Sequence, residues 1–340
     1  MRNNIRIVFA ALWVMAIAST MLFSSCTKEG PEGPQGPIGG DGSVICGNCH
    51  NIGTDLYAKI MQYEASTHYT GGNFDRNGTS CAPCHTHEGF MEVLETGAMA
   101  TAAAISNPTP VNCRTCHKIH TTFTQADYEL TTTKKVTLWL NGQSIDLGQG
   151  NLCTNCHQPR IPNPNVTLGG GGITITSSTW GVHYGAQTAV MAGTGGYELT
   201  GSMSYNVPAK HGNAVQDGCV SCHMASAVGN KAGGHTFAMR NGTTPNMAGC
   251  TGCHAGATNF DIGGVQTEIT GLINDLKTLL VAKGILNGTT DRAIPGTYSE
   301  QLAGCLLNYK LVYGDHSYGV HNYGYSKALL VNSIEWLTAN

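Results

Sequence analysis

The sequence predicts a fold that is mostly coil, with short α-helices, a minor β-hairpin and a small C-terminal helical unit. Three observations carry this expectation. The 340 residues include 45 glycines, and only 11% are charged, against about 25% in ordinary soluble domains. With aromatics at 7%, side chains alone make a poor conventional core. A pentapeptide of the form C-x-x-C-H returns six times. Beyond residue 260 apolar residues fall at helical spacing, which marks a region of different character.

The six repeats are Cys46-Gly-Asn-Cys49-His50, Cys81-Ala-Pro-Cys84-His85, Cys113-Arg-Thr-Cys116-His117, Cys153-Thr-Asn-Cys156-His157, Cys219-Val-Ser-Cys222-His223 and Cys250-Thr-Gly-Cys253-His254. They use 12 of the 14 cysteines. C-x-x-C-H is the attachment signature of c-type haem. Two thiols add to the porphyrin vinyl groups, and the imidazole that follows binds the iron from one face. Two intervening residues bring both sulfurs to one edge of the ring. A zinc ribbon or a disulfide scaffold also uses cysteine pairs, but neither requires histidine directly after the second cysteine. The coil is therefore expected to wrap around six c-type haems, which would themselves form much of the core. Glycine suits such a chain because it lets backbone approach a flat cofactor closely.

On these motifs the chain resembles the multihaem c-type cytochromes over residues 44–340. The resemblance implies covalent haem attachment outside the cytoplasm, hence export. Residues 1–25 read as a signal: Arg2 and Arg6 precede a short apolar run, then Leu22-Phe23-Ser24-Ser25-Cys26 resembles a lipoprotein processing site. By that resemblance Cys26 is lipidated and anchors the chain to a membrane. Thr27, which is not the aspartate of inner-membrane retention, points to an outer-membrane lipoprotein facing periplasm or cell surface. Residues 26–43 then form the anchored cysteine and a collagen-like Gly/Pro spacer, Gly30-Pro-Glu-Gly33-Pro-Gln-Gly36-Pro. As extended chain at about 3.1 Å per residue it would reach roughly 40 Å.

A hexahaem domain is expected over 44–260, and a helical unit over 261–340. Within the first, Tyr57–Ser66 reads as a helix leading to His68, and Glu92–Ile105 as an alanine-rich helix. Lys134–Leu147 alternates around Asn141-Gly142, a hairpin signal. Gly169–Thr176 reads as a surface strand. In the second, Gln266–Lys283 carries Ile269, Leu272, Ile273, Leu276, Leu279 and Leu280 on one helical stripe. Glu300–Tyr313 and Tyr325–Thr338 read likewise, with Cys305 as a buried thiol.

The remaining histidines supply candidate ligands for the other iron faces. Of eight, six are chosen: His68, His120, His183, His211, His235 and His321. His321 lies in Tyr318-Gly-Val-His321-Asn, which resembles the C-terminal ligand segment of multihaem cytochromes, so the helical unit would contribute a distal ligand. His87 and His316 are left as surplus, and Met224 or Met239 is the alternative ligand at one site. Two imidazoles leave no open position on iron, which suits electron transfer rather than substrate chemistry.

Formal charge is −3, and without Arg2 and Arg6 the balance is 16 basic against 21 acidic residues, or −5. A cationic nucleic-acid footprint is absent. The leading expectation is a chain of bis-His haems carrying electrons in the cell envelope, in anaerobic respiration or extracellular electron transfer. Its partners would be other multihaem cytochromes or envelope redox proteins. Two rivals stand beside it. A nitrite- or hydroxylamine-type reductase needs one open iron, and a cytochrome filament or other homo-oligomer would borrow ligands between subunits.

Overall fold

The computed structural model describes residues 54–206 and 210–340. The signal, Cys26, the spacer and the first motif with Cys46, Cys49 and His50 lie outside the described residues. No described helix is long and apolar enough to cross a membrane.

The first half is coil punctuated by short helices: α1 (Thr54–Glu64), α2 (Thr67–Thr70), α3 (Ala82–His85), α4 (His87–Thr96), α5 (Cys113–Cys116) and α6 (Asn151–Thr154). His68 lies in α2, whose N-cap Ser66 accepts the Tyr69 amide. The helix expected over Glu92–Ile105 is displaced. It runs His87–Thr96, opened by Thr86, whose hydroxyl accepts the Gly89 amide, and closed by Gly97 at φ 71°. Residues 98–105 are not helical; the Thr101 amide and hydroxyl turn instead to the Thr79 carbonyl. Alanine propensity there is outweighed by a glycine stop and a buried threonine.

The expected hairpin forms with only two residues per strand, β1 (Val136–Thr137) against β2 (Ser144–Ile145), antiparallel. Gly142 at φ 73° turns the chain. Leu138, Ile145 and Leu147 pack with Met191 in a small core. The surface strand β3 (Ile173–Ile175) finds a distant partner, β6 (Gly296–Tyr298). Between these come α7 (Gln187–Ala192), α8 (Lys210–Ala214), α9 (Cys219–His223) and a small ribbon, β4 (Arg240–Asn241) with β5 (Thr244–Pro245).

Three long helices follow: α10 (Val265–Ala282), α11 (Glu300–Asp315) and α12 (Tyr323–Ala339). The stripe of α10 is realised by buried Ile269, Ile273, Leu276 and Leu280. Each such side chain contributes about 1.5–3 kcal/mol when fully buried. Lys327 and Tyr323 of α12 both reach the Glu268 carboxylate of α10, at 2.6 and 2.5 Å. Helix α11 is buried along most of its length. Cys305 lies there fully buried, its thiol 3.8 Å from the Ser333 carbonyl and pushed up to about 12 by burial.

The three helices share their core with Val166–Leu199, through Trp180, Val190 and Tyr197. Tyr197 lies on α11 where Gly304 has no side chain; a Cβ there would come within 2.3 Å of the ring. The Asn308 side chain accepts the Tyr197 amide at 2.7 Å and donates back to its carbonyl at 2.8 Å. Glu300 accepts the Gly169 and Gly171 amides at 2.9 and 2.6 Å. These bonds fix the segment 169–199, and with it His183, against the helical end.

Candidate functional site

Each described C-x-x-C-H closes as one helical turn. The amide of the histidine donates to the carbonyl of the first cysteine at 3.2 Å (His85 to Cys81), 2.8 Å (His117 to Cys113), 2.9 Å (His157 to Cys153) and 2.8 Å (His254 to Cys250). The remaining described motif is helix α9 itself. One turn brings both thiols to one side and carries the imidazole past them. Cys81, Cys84, Cys113, Cys116, Cys153, Cys156, Cys219, Cys222, Cys250 and Cys253 form no disulfide. Among the described residues no three or more His, Cys, Asp or Glu converge on a metal-sized point.

The structure instead brings histidines together in twos. Ring centroids lie 6.1 Å apart for His157 and His68, 6.3 Å for His85 and His183, and 6.2 Å for His117 and His235. For His254 and His211 the spacing is 6.1 Å, and for His223 and His321 it is 6.4 Å. Every couple joins a motif histidine to one of the spare histidines chosen from the sequence. Two metal–imidazole bonds of about 2 Å, plus about 1 Å from each nitrogen to its ring centre, put trans imidazoles about 6 Å apart. The observed gaps fit an iron held from both faces.

A ligating imidazole must be neutral, with one nitrogen free and the other held by a partner. His117 Nδ1 lies 2.7 Å from the Tyr128 carbonyl, His223 Nδ1 3.0 Å from that of Phe237, and His211 Nδ1 2.6 Å from that of Val320. His157 Nδ1 faces the Gln187 side-chain oxygen at 3.3 Å. His321 Nδ1 faces the Asp315 carboxylate at 2.5 Å. In each, Nε2 is the nitrogen that would be turned toward a metal.

Half-buried His85, His223 and His235 are held below the usual imidazole value, by burial first; Arg76 and Arg160 add to this at His85, and His117 and Lys59 at His235. His68 keeps an accessible edge, but its ring lies between His157 and Phe237. Burial there, then the field of His157, pushes it down to about 4. At His321 burial acts downward, and the Asp315 carboxylate reverses it, leaving the imidazole raised.

His120 lies on a loop organised by Asp127, which accepts the His120 amide at 2.8 Å and the Thr122 amide at 2.7 Å. Its ring stacks on Phe123 at 5.6 Å. Of the two surplus histidines, His87 Nδ1 lies 3.0 Å from the Thr115 hydroxyl, and His316 caps α11 with its ring 5.9 Å from Tyr313.

Sequence reasoning missed three kinds of residue. Asp315 gave no signal, since nothing in its neighbourhood marks it as a partner of His321. Phe237 was passed over beside the motifs. The glycines that pack motif on motif are legible in the sequence only as suited to a flat cofactor. A Cβ on Gly150 would lie 3.0 Å from the Cys219 amide nitrogen, and one on Gly249 would lie 3.1 Å from Cys222 Cα.

No family model matches the chain. The C-type polyheme cytochrome OmcB of Geobacter sulfurreducens is 26% identical over 308 residues, in strains DL-1/KN400 and PCA alike. That alignment covers 76% of this chain and 37% of OmcB, so the chain spans little more than a third of that relative's length. The crystal structure of the outer cell wall cytochrome OcwA aligns over 82% of this chain and 50% of its own, at 20% identity and a TM-score of 0.47.

Proposed function

We propose that this chain, a multihaem c-type cytochrome, is an electron carrier that holds six haems c, each between two imidazoles. The observation that carries the reading is the recurrence of one spacing, 6.1–6.4 Å between ring centroids, at every described motif. When bound, each haem supplies a one-electron couple whose iron, closed on both faces, has no vacancy for substrate. The cysteines of the six motifs fix the rings covalently. His50, His85, His117, His157, His223 and His254 serve as proximal ligands, and His68, His120, His183, His211, His235 and His321 as distal ones.

The chain's own contribution is orientation and polarity. Backbone carbonyls of Tyr128, Phe237 and Val320 set the tautomer of three imidazoles. Neutral, half-buried rings at His85, His223 and His235 favour metal over proton. The similarity to OmcB supports the electron-carrier reading. We further place the protein outside the cytoplasm, anchored through lipidated Cys26 in an outer membrane and exchanging electrons with other envelope cytochromes. The anchor and spacer residues of the sequence support that address.

Absorbance and EPR spectra of the oxidised holoprotein, with a haem-to-protein ratio, test the reading. A ratio near six with low-spin signals alone is expected. A high-spin component near one haem in six would overturn the closed-iron assignment and make nitrite, hydroxylamine and peroxide the substrates to try.

A further inference from the structure

Three of the five imidazole couples meet at one residue. Phe237 follows the 3-10 turn Gly234–Thr236 and adopts φ 56°, ψ 0°, a left-handed conformation that a bulky side chain rarely takes. Its amide donates to the Gly234 carbonyl at 3.2 Å, and the Gly233 amide donates to Ala238 at 2.8 Å, which holds the turn. The ring lies edge-on to His68 at 4.8 Å and 6.1 Å from His235. Its carbonyl accepts from His223 Nδ1 at 3.0 Å. One strained residue therefore touches the couples of the fourth, third and fifth motifs.

The attachment cysteines give an independent view of the same place. Cys156 Sγ lies 3.8 Å from the carbonyl of Pro83, inside the second motif and next to Cys84. The fourth motif also adjoins the fifth: Gly150, which caps the helix of Cys153, packs against the Cys219 backbone. The backbone enforces both approaches. A Cβ on Gly150 would lie 3.0 Å from the Cys219 nitrogen, and one on Gly185, two residues past His183, would lie 3.2 Å from the Cys156 carbonyl oxygen. The sixth motif adjoins the fifth in the same manner, through Gly249 against Cys222.

We infer that the array is branched, not linear: the His68/His157 site is a junction adjoining the sites of the second, third and fifth motifs, and Phe237 is its positioning residue. This rests on the ligand set proposed above. In a linear array no site has more than two neighbours. Here the fourth motif adjoins the second through Cys156 and the fifth through Gly150, and its distal imidazole meets a third across the Phe237 ring. Strain at Phe237 is expected where the carbonyl and the ring must be aimed at separate couples at once.

The test is a haem-by-haem redox titration of the holoprotein, followed by NMR of the haem methyl signals. His68→Met gives one haem His/Met ligation and a raised potential. Half-oxidation points of at least three other haems should move with it, whereas His211→Met should move fewer. Displacement of only one or two others by His68→Met would overturn the branching. Unchanged ligation of every haem in His68→Met would show that His68 is not a ligand, which overturns the ligand set and the junction with it. Where a variant loads poorly, the wild-type titration gives the same count, because each site's signals shift as its neighbours oxidise. Phe237→Gly accepts the positive φ without a ring. It should shift the low-spin EPR signals of two haems at unchanged stoichiometry, while Phe237→Tyr keeps the wild-type spectrum. Identical spectra for all three proteins would reduce Phe237 to packing.

Discussion

At the scale of single residues, His321 stands apart because its Nδ1 faces a carboxylate where His117, His211 and His223 face backbone carbonyls. A carboxylate partner makes the imidazole more electron-rich and favours the ferric state. The His223/His321 site is therefore expected to have a low potential. Asp315→Asn should raise it, each tenfold loss of ferric preference being about 59 mV for a one-electron couple. Redox titration with EPR detection of that haem checks this, and no upward shift would remove Asp315 from the tuning. The residues that announce chemistry were legible: each pentapeptide is contiguous, so its role could be read directly. The couples were not legible, because His68 and His157, or His117 and His235, meet only through tertiary structure. The sequence shows which histidines are spare and is silent on which face each reaches.

Single elements show how local signals compete. The alanines after residue 97 predict a helix that the stop at Gly97 ends, while Thr86 starts it at His87, five residues before Glu92. The hairpin and the three C-terminal helices were legible since Asn-Gly and an i, i+3, i+4 stripe are local patterns. The start of α11 carries a pH-dependent contact. Glu300 is held below the usual carboxylate value by the Gly169 and Gly171 amides that it accepts. A depressed carboxylate contributes stability that is present above its unfolded pKa, about 4.3, and is lost as pH falls through the lower folded value. Glu300→Gln should thus lower the melting temperature at pH 7 and matter progressively less below pH 4; an equal loss at both would sink the assignment. The motif contacts predict a second effect. Gly249→Ala would drive a methyl to 2.8 Å from the Ser221 carbonyl oxygen and 3.1 Å from Cys222 Cα. Overpacking of this kind costs about 1–3 kcal/mol, to be measured as a lower denaturant midpoint and reduced haem loading.

For the whole molecule, the described core is uneven. The large apolar cluster joins Val166–Leu199 to α10, α11 and α12, while residues 54–160 bury Ala82, Phe90 and Val136 beside the small cluster of Leu138, Ile145 and Leu147. Protein prepared without haem should therefore show slow amide exchange in the three C-terminal helices and fast exchange through α1–α6. Uniform protection would mean that the early segments fold without their cofactors. This division follows from composition: glycine-rich coil with few large apolar residues cannot bury enough surface by itself, and the sequence showed that much.

The couples also impose an order of assembly. Along the chain, 68 pairs with 157, 85 with 183 and 117 with 235, so each of these links opens before the previous one has closed. A chain emerging from a translocation pore amino end first would carry the cofactors of three motifs before the first described couple closed, when His157 of the fourth motif arrived to meet the waiting His68. The link between His223 and His321 closes last, nearly a hundred residues after it opens. A chain cut short before residue 321 would leave His223 facing an unmatched metal face. Completion of the carboxyl end would thus be the step that supplies His223 with its partner imidazole.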